Sequence, residues 1–209
     1  MRFQKDAPPR WIRRWCPDEH VQSVAEITPE RLQAQGIRAL LLDLDNTITP
    51  WRSRQVPAEV ADWVKQMQAA GVKLCFVSNT RNLGRLQWLS ETLGIPYARG
   101  PMKPRRAMLR RALEMLNVEP EHAAMVGDQL FTDIWGGNRL GIYNLLQPKL
   151  ARDALQRKVR AIQQTGATIV ASANPGCTLW IRQGLQEAGV PVEVLHPMEI
   201  LAKAYDAMP

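Results

Sequence analysis

Two aspartates one residue apart, at the end of an apolar run, are the residues of this chain best suited to chemistry: Leu41-Leu42-Asp43-Leu44-Asp45-Asn46-Thr47. Like charges this close resist joint ionisation unless a cation or a proton intervenes. The pair therefore suits a metal-bound nucleophile (Asp43) beside an acid/base (Asp45), although aspartates after a strand also cap helices and form turns. Ser78-Asn79-Thr80 follows a second apolar run, Lys73-Leu74-Cys75-Phe76-Val77. A hydroxyl and backbone N–H groups at a strand-to-helix turn suit phosphate oxygens, and an ordinary N-cap is the competing reading. Lys103-Pro104 precedes a helical pattern. There Lys103 is either a surface lysine or a compact positive charge for a phosphate. The third apolar run, Ala123 to Val126, ends in Gly127-Asp128 with Asp133 five residues on. Hard Mg²⁺ prefers oxygen ligands and takes one or two carboxylates directly, a role for Asp128 and Asp133 that helix capping explains for only one of them.

The elements needed to position these residues are legible around them. Ala39 to Leu42 reads as a buried parallel strand within about 38–44, with its acids at the carboxyl end where open α/β sheets place their sites. A helix from Thr28, one from Pro57 to Ala70 closed by Gly71, one over 81–93 closed by Gly94 and one after Lys103 running to Leu116 are expected. Strands are expected at 73–77, 123–127 and 142–146, with a short one near Tyr97 and a helix from about 130. Strands alternating with helices predict a doubly wound parallel α/β sheet. Asp43 to Ser78, and Ser78 to Lys103, leave room for one helix each, so no large cap domain is expected over the site.

The order strand-D-x-D, strand-S, K-P, strand-G-D-x-x-x-x-D resembles the four motifs of the haloacid dehalogenase (HAD) superfamily. "LLDLDNTITPW", "FVSNT", "GIPYARGPMKP", "GDQLFTDIWGGNRLG" and the lead-in "PDEHVQSVAEITPERLQAQGIRALL" resemble its YqeG-type, subclass IIIA phosphatases over about residues 15–142. The resemblance implies a Rossmann-like sheet and a Mg²⁺-dependent phosphomonoesterase. Asp43 would be its nucleophile and Asp45 its acid/base. Ser78, Asn79 and Lys103 would hold phosphate, and Asp43, Asp45, Asp128 and Asp133 would form the metal site. Eukaryotic relatives in that branch imply phosphatidylglycerophosphate as substrate. A soluble phosphorylated metabolite is the alternative, and a redox-partner or interaction module with a vestigial site is a third reading.

From about Ile142 the likeness changes. The tail resembles the end of the cysteine-rich CCG domain of the glycolate oxidase iron–sulfur subunit, as if two families were joined near Gly141-Ile142. It retains only Cys177 of that domain's thiols, and a cluster needs several, so no iron–sulfur centre is expected. Strands at 167–171 and 192–195 with helices at about 149–165, 178–188 and 197–205 would either extend the first sheet or form a layer of their own. The expected organisation is a basic and aromatic arm with a lead-in helix (1–36), a phosphatase core (37–148) and a C-terminal α/β segment (149–209).

Composition bounds the rest. The apolar share of 45% is ordinary for a globular chain. The three cysteines, Cys16, Cys75 and Cys177, form no zinc pattern, and Cys75 reads as a small core residue. No membrane span or signal-peptide pattern is present, which predicts a cytoplasmic protein, with a peripheral place at the inner face of the membrane as an extension. The net charge of +7 favours anionic partners. In Arg10-Trp11-Ile12-Arg13-Arg14-Trp15, aromatic and basic residues take opposite sides of a helical turn. That pattern suits a membrane surface or an arm packed on the domain. Nucleic acid is the least favoured partner, and oligomeric state is left open.

Overall fold

Ala39 to Leu42 are fully buried on both faces, a situation reserved for interior strands of a covered parallel sheet. In the computed structural model, which describes residues 13–147, 149–173 and 175–206, they form β2 (Ala39–Leu42). Its companions are β1 (Glu19–His20), β3 (Lys73–Phe76), β4 (Ala123–Gly127) and β5 (Tyr143–Leu146). The order is β1-β5-β4-β2-β3, with every pair parallel. Leu41 lies between Cys75 on one neighbour and Met125 on the other.

The period of two along β2 divides the core. Leu40 and Leu42 join Phe76 and Val126 under α2 (Ala58–Ala69) and α3 (Leu83–Leu93). Ala39 and Leu41 join Cys75, Val77 and Met125 under α4 (Arg106–Leu116). Helices therefore cover both faces, as doubly wound patterning predicts. Truncating a fully buried side chain such as Leu41 to alanine would cost about 2–5 kcal/mol. Cys75 is wholly buried, and burial pushes its thiol up to about 12.

Local signals set the element ends. Thr28 accepts the N–H of Arg31 and Pro29 starts α1 (Pro29–Ala34). Asn82 caps α3 by accepting the N–H of Arg85. Gly94 closes α3 in the left-handed region at φ 64°.

Three features depart from expectation. The two-residue edge strand β1 carries no periodic signal. It is created by pairing with β5, where Asp18 N–H donates to the Asn144 carbonyl and Asn144 N–H donates to Asp18 Oδ2. The strand near Tyr97 is a single bridge to Phe76. The helix expected from 130 begins instead as a wide π turn, Leu130–Ile134, before α5 (Trp135–Asn138). Such turns accompany side chains held for function, and Asp133 lies within this one.

Trp11 and Ile12 of the arm lie outside the described residues. Trp15 packs edge-on against Phe131 and Trp135, at 6.1 and 6.3 Å between centroids. The Asn138 amide lies 2.9–3.3 Å from the carbonyls of Arg13, Arg14 and Cys16.

The chain divides into two units, Met1–Lys149 and Leu150–Pro209. The break falls beyond β5, so the strand that follows the change in sequence likeness completes the first sheet. The second unit has a two-stranded parallel sheet of its own, β6 (Ile169–Ala171) and β7 (Glu193–Leu195). Its helices are α6 (Lys149–Thr165), α7 (Pro175–Glu187) and α8 (Pro197–Asp206). Val159, Ile181, Leu185 and Val194 form its core. Among the described residues, no helix is long and apolar enough to cross a membrane.

Candidate active site

β2 and β4 are neighbours, but the chain leaves β2 for β3 on one side and β4 for β5 on the other. Such a switch opens a crevice at the carboxyl ends of the strands. Asp43 is the first residue beyond β2 and Asp128 the first beyond β4. The ladder continues past the ends of β2 and β3, with Asp43 N–H donating to the Val126 carbonyl and Val77 N–H to that of Leu42. Ser78 follows immediately, its Oγ accepting the N–H of Thr80.

Lys103 comes to this crevice from the loop before α4. Its Nζ lies 2.7 Å from Asp43 Oδ1 and 2.7 Å from Asp133 Oδ1, and its side chain is almost wholly buried. Asn79 holds the lysine backbone, accepting its N–H at 2.7 Å and donating to its carbonyl at 3.1 Å. The Asn79 side chain thus positions Lys103 and leaves only the backbone of Asn79 for a phosphate. Asp133 Oδ2 accepts the N–H of Gln129 and packs against Gly127, where an added Cβ would stand 2.2 Å from that oxygen. Asn46, at φ 62°, turns its amide to Asp128 Oδ2 at 3.1 Å. Asp128 Oδ1 is buried without a hydrogen-bond partner among the described residues.

Burial is the main force on these charges. It pushes Asp43 up to about 7, with Asp133 and Asp128 adding to the rise and Lys103 opposing it. Burial likewise raises Asp128, against the Asn46 hydrogen bond. On Lys103 burial disfavours the charge, but Asp133 and Asp43 outweigh it and hold the ammonium above its ordinary range. Asp43, Asp128 and Asp133 offer carboxylate oxygens within 4.8 Å of one another. When all three are ionised, Lys103 leaves two negative charges uncompensated. Hard oxygen donors, an unpartnered oxygen and that charge excess together fit Mg²⁺.

Asp45 stands apart from this cluster. Its Oδ1 accepts the Arg52 N–H at 2.8 Å and faces Arg85 Nη1 at 2.9 Å. Arg85 is buried and also donates to the Ser53 carbonyl at 2.7 Å and to Thr49 Oγ1 at 2.5 Å. Sequence reasoning missed Arg85, the hold of Asn46 on Asp128 and the need for glycine at 127. An asparagine after D-x-D, in a turn that calls for positive φ, was a usable signal. Arg85 had none, because its partners lie more than thirty residues away in sequence.

The model of haloacid dehalogenase-like hydrolases matches residues 19–141. The chain belongs to this family. It is 36% identical over 132 residues to "Probable phosphatase YqeG" of Bacillus subtilis (strain 168), covering 63% of this chain and 76% of that protein. These matches make it a HAD-type phosphatase. It is 24% identical over 178 residues to "Phosphatidylglycerophosphate phosphatase 1, chloroplastic/mitochondrial" of Arabidopsis thaliana, covering 81% of this chain and about half (49%) of that one. A shorter match joins 31% of this chain to 15% of "Probable glycolate oxidase iron-sulfur subunit" of Bacillus subtilis, at 32% identity. That share of the subunit is too small to carry its function across.

Proposed function

We propose that this HAD-type phosphatase works through an aspartyl-phosphate on Asp43 and that its substrate is phosphatidylglycerophosphate. The observation that carries the reaction is Lys103 Nζ, 2.7 Å from the Asp43 carboxylate in the switch-point crevice. A carboxylate oxygen of Asp43 attacks phosphorus and the bond to the leaving oxygen breaks. Asp45, which retains contact with solvent, takes a proton from solvent, gives it to that oxygen and then takes one from the water that releases phosphate. The Ser78 hydroxyl, the Asn79 backbone N–H and Lys103 receive the phosphoryl oxygens. Asp43, the Asp45 carbonyl and Asp128, with Asp133 in support, would hold Mg²⁺, whose charge when bound neutralises that of the phosphoryl group.

Two features support a lipid substrate. The segments between Asp43 and Ser78, and between Ser78 and Lys103, hold one helix each, α2 and α3, so a head group still seated in a membrane has a path to the site. The Arabidopsis relative is named for this substrate. The test is phosphate release from phosphatidylglycerophosphate in mixed micelles against a panel of soluble phosphate monoesters, with Mg²⁺ and with a chelator. A kcat/KM at least about tenfold higher for the lipid is expected. A soluble ester that equals or exceeds the lipid would replace this substrate.

A further inference from the structure

β2, β3 and β4 are parallel, so the loops leaving them open on one edge of the sheet. The loop from the Phe76–Tyr97 bridge to α4 starts at that edge too. Segments 50–57, 79–85 and 96–106 of this edge contain no aspartate or glutamate. Of their basic residues, Arg85 and Lys103 are buried in the site. Arg52, Arg54, Arg81, Arg99, Arg105 and Arg106 are exposed. Apolar side chains stand out between them: Trp51 is 64% exposed, Leu83 45% and Met102 52%, with Leu130 (38%) and Phe131 (65%) in the π turn after β4. Single exposed apolar residues are ordinary. Five around one crevice, among exposed charges that are mostly basic, with Glu59 in the first turn of α2 the exception, describe a surface built to meet something anionic with an apolar layer beneath it.

We propose that this rim docks on an anionic phospholipid bilayer. Trp51, Met102 and Phe131 enter the interfacial layer, the arginines meet lipid phosphates, and the crevice faces the membrane. Nucleic acid fits the rim less well. Leu83, Met102 and Leu130 have no ring on which a base could stack, and the Arg52 guanidinium already lies over Trp51, 4.7 Å from its centroid. Docking rests on the lipid-phosphate reading for its purpose, whereas its test measures binding alone.

The full chain and two variants, Trp51→Ser/Met102→Ser/Phe131→Ser and Arg54→Gln/Arg81→Gln/Arg106→Gln, are cosedimented with vesicles of phosphatidylglycerol or phosphatidylcholine. Circular dichroism and turnover of a soluble aryl phosphate serve as controls for folding. The unaltered chain should bind phosphatidylglycerol vesicles, ignore phosphatidylcholine, and release at high salt, where surface charges are screened. Each variant should lose at least about tenfold in vesicle affinity, or 1.4 kcal/mol, with aryl phosphate turnover retained. Vesicle binding that survives in both variants overturns the proposal. So does a single-stranded oligonucleotide that displaces the vesicles and is bound through the same residues. If the variants lose the vesicles while phosphatidylglycerophosphate proves not to be hydrolysed, the docking surface stands and the substrate reading falls.

Discussion

Arg85 reaches Asp45 from the first turn of a helix forty residues away, with Nη1 2.9 Å from Oδ1. The same guanidinium ties down Thr49 and the Ser53 carbonyl. It therefore fixes both the acid/base candidate and the turn behind it. Arg85→Met should destabilise the protein by about 3 kcal/mol, the low end for breaking a buried ion pair, since Asp45 can still reach water. Phosphate release should fall most for alkyl esters, whose leaving oxygen needs a proton, and least for aryl esters. Asp45→Asn should show the same bias. Parallel kinetics on a glycerol phosphate ester and an aryl phosphate check this, and equal losses on both esters would remove Asp45 from the acid role.

Asp43→Asn should abolish phosphate release, by about three orders of magnitude or more, because an amide cannot attack phosphorus. It should not weaken the metal-free fold, since it removes a carboxylate whose charge burial opposes. Rapid-quench phosphate assays and thermal unfolding read the two effects separately. Activity within about tenfold of the parent would end the covalent mechanism.

The raised carboxylates make metal binding and stability depend on pH in a defined direction. Asp43 at about 7 holds a proton in the folded, metal-free chain that the unfolded chain has already lost above about 4. Stability of the metal-free protein should therefore decline as pH rises between those values and stay lower above 7. Mg²⁺ competes with that proton, so its affinity should increase over the same range, with proton release on binding. Thermal unfolding with chelator at low and neutral pH, and calorimetric Mg²⁺ titration in buffers of different ionisation enthalpy, check both signs. A metal-free protein that gains stability between pH 5 and 7 would contradict the burial of Asp43.

Gly127→Ala should act as a site mutation although residue 127 carries no reactive group. The new Cβ would stand 2.2 Å from Asp133 Oδ2, and Asp133 is itself bound to Lys103 and to the Gln129 N–H. The carboxylate must move, at an overpacking cost of about 1–3 kcal/mol. Mg²⁺ affinity and turnover should fall together, measured by titration and steady-state kinetics. Unchanged metal affinity would mean that Asp133 is not part of the metal site.

The sequence by itself determined strands β2 to β5 and the acids that follow β2 and β4. Aliphatic runs such as Ala39 to Leu42 can be satisfied only by burial on both faces. Acids placed at the ends of two such runs must then meet wherever those strands become neighbours. Thr28, Asn82 and Gly94 marked helix ends because capping is local chemistry. Tertiary structure alone decided what depends on partners distant in the chain. Arg85 pairs with Asp45 across forty residues, and Asn79 clasps the Lys103 backbone across twenty-four. β1 exists only as an addition to β5, and Asp133, paired with Lys103, lies in a wide turn where a regular helix start was expected. Periodicity and capping encode what a residue does with its near neighbours. Buried charge pairs and edge strands are set by long-range contact, which leaves no local pattern to read.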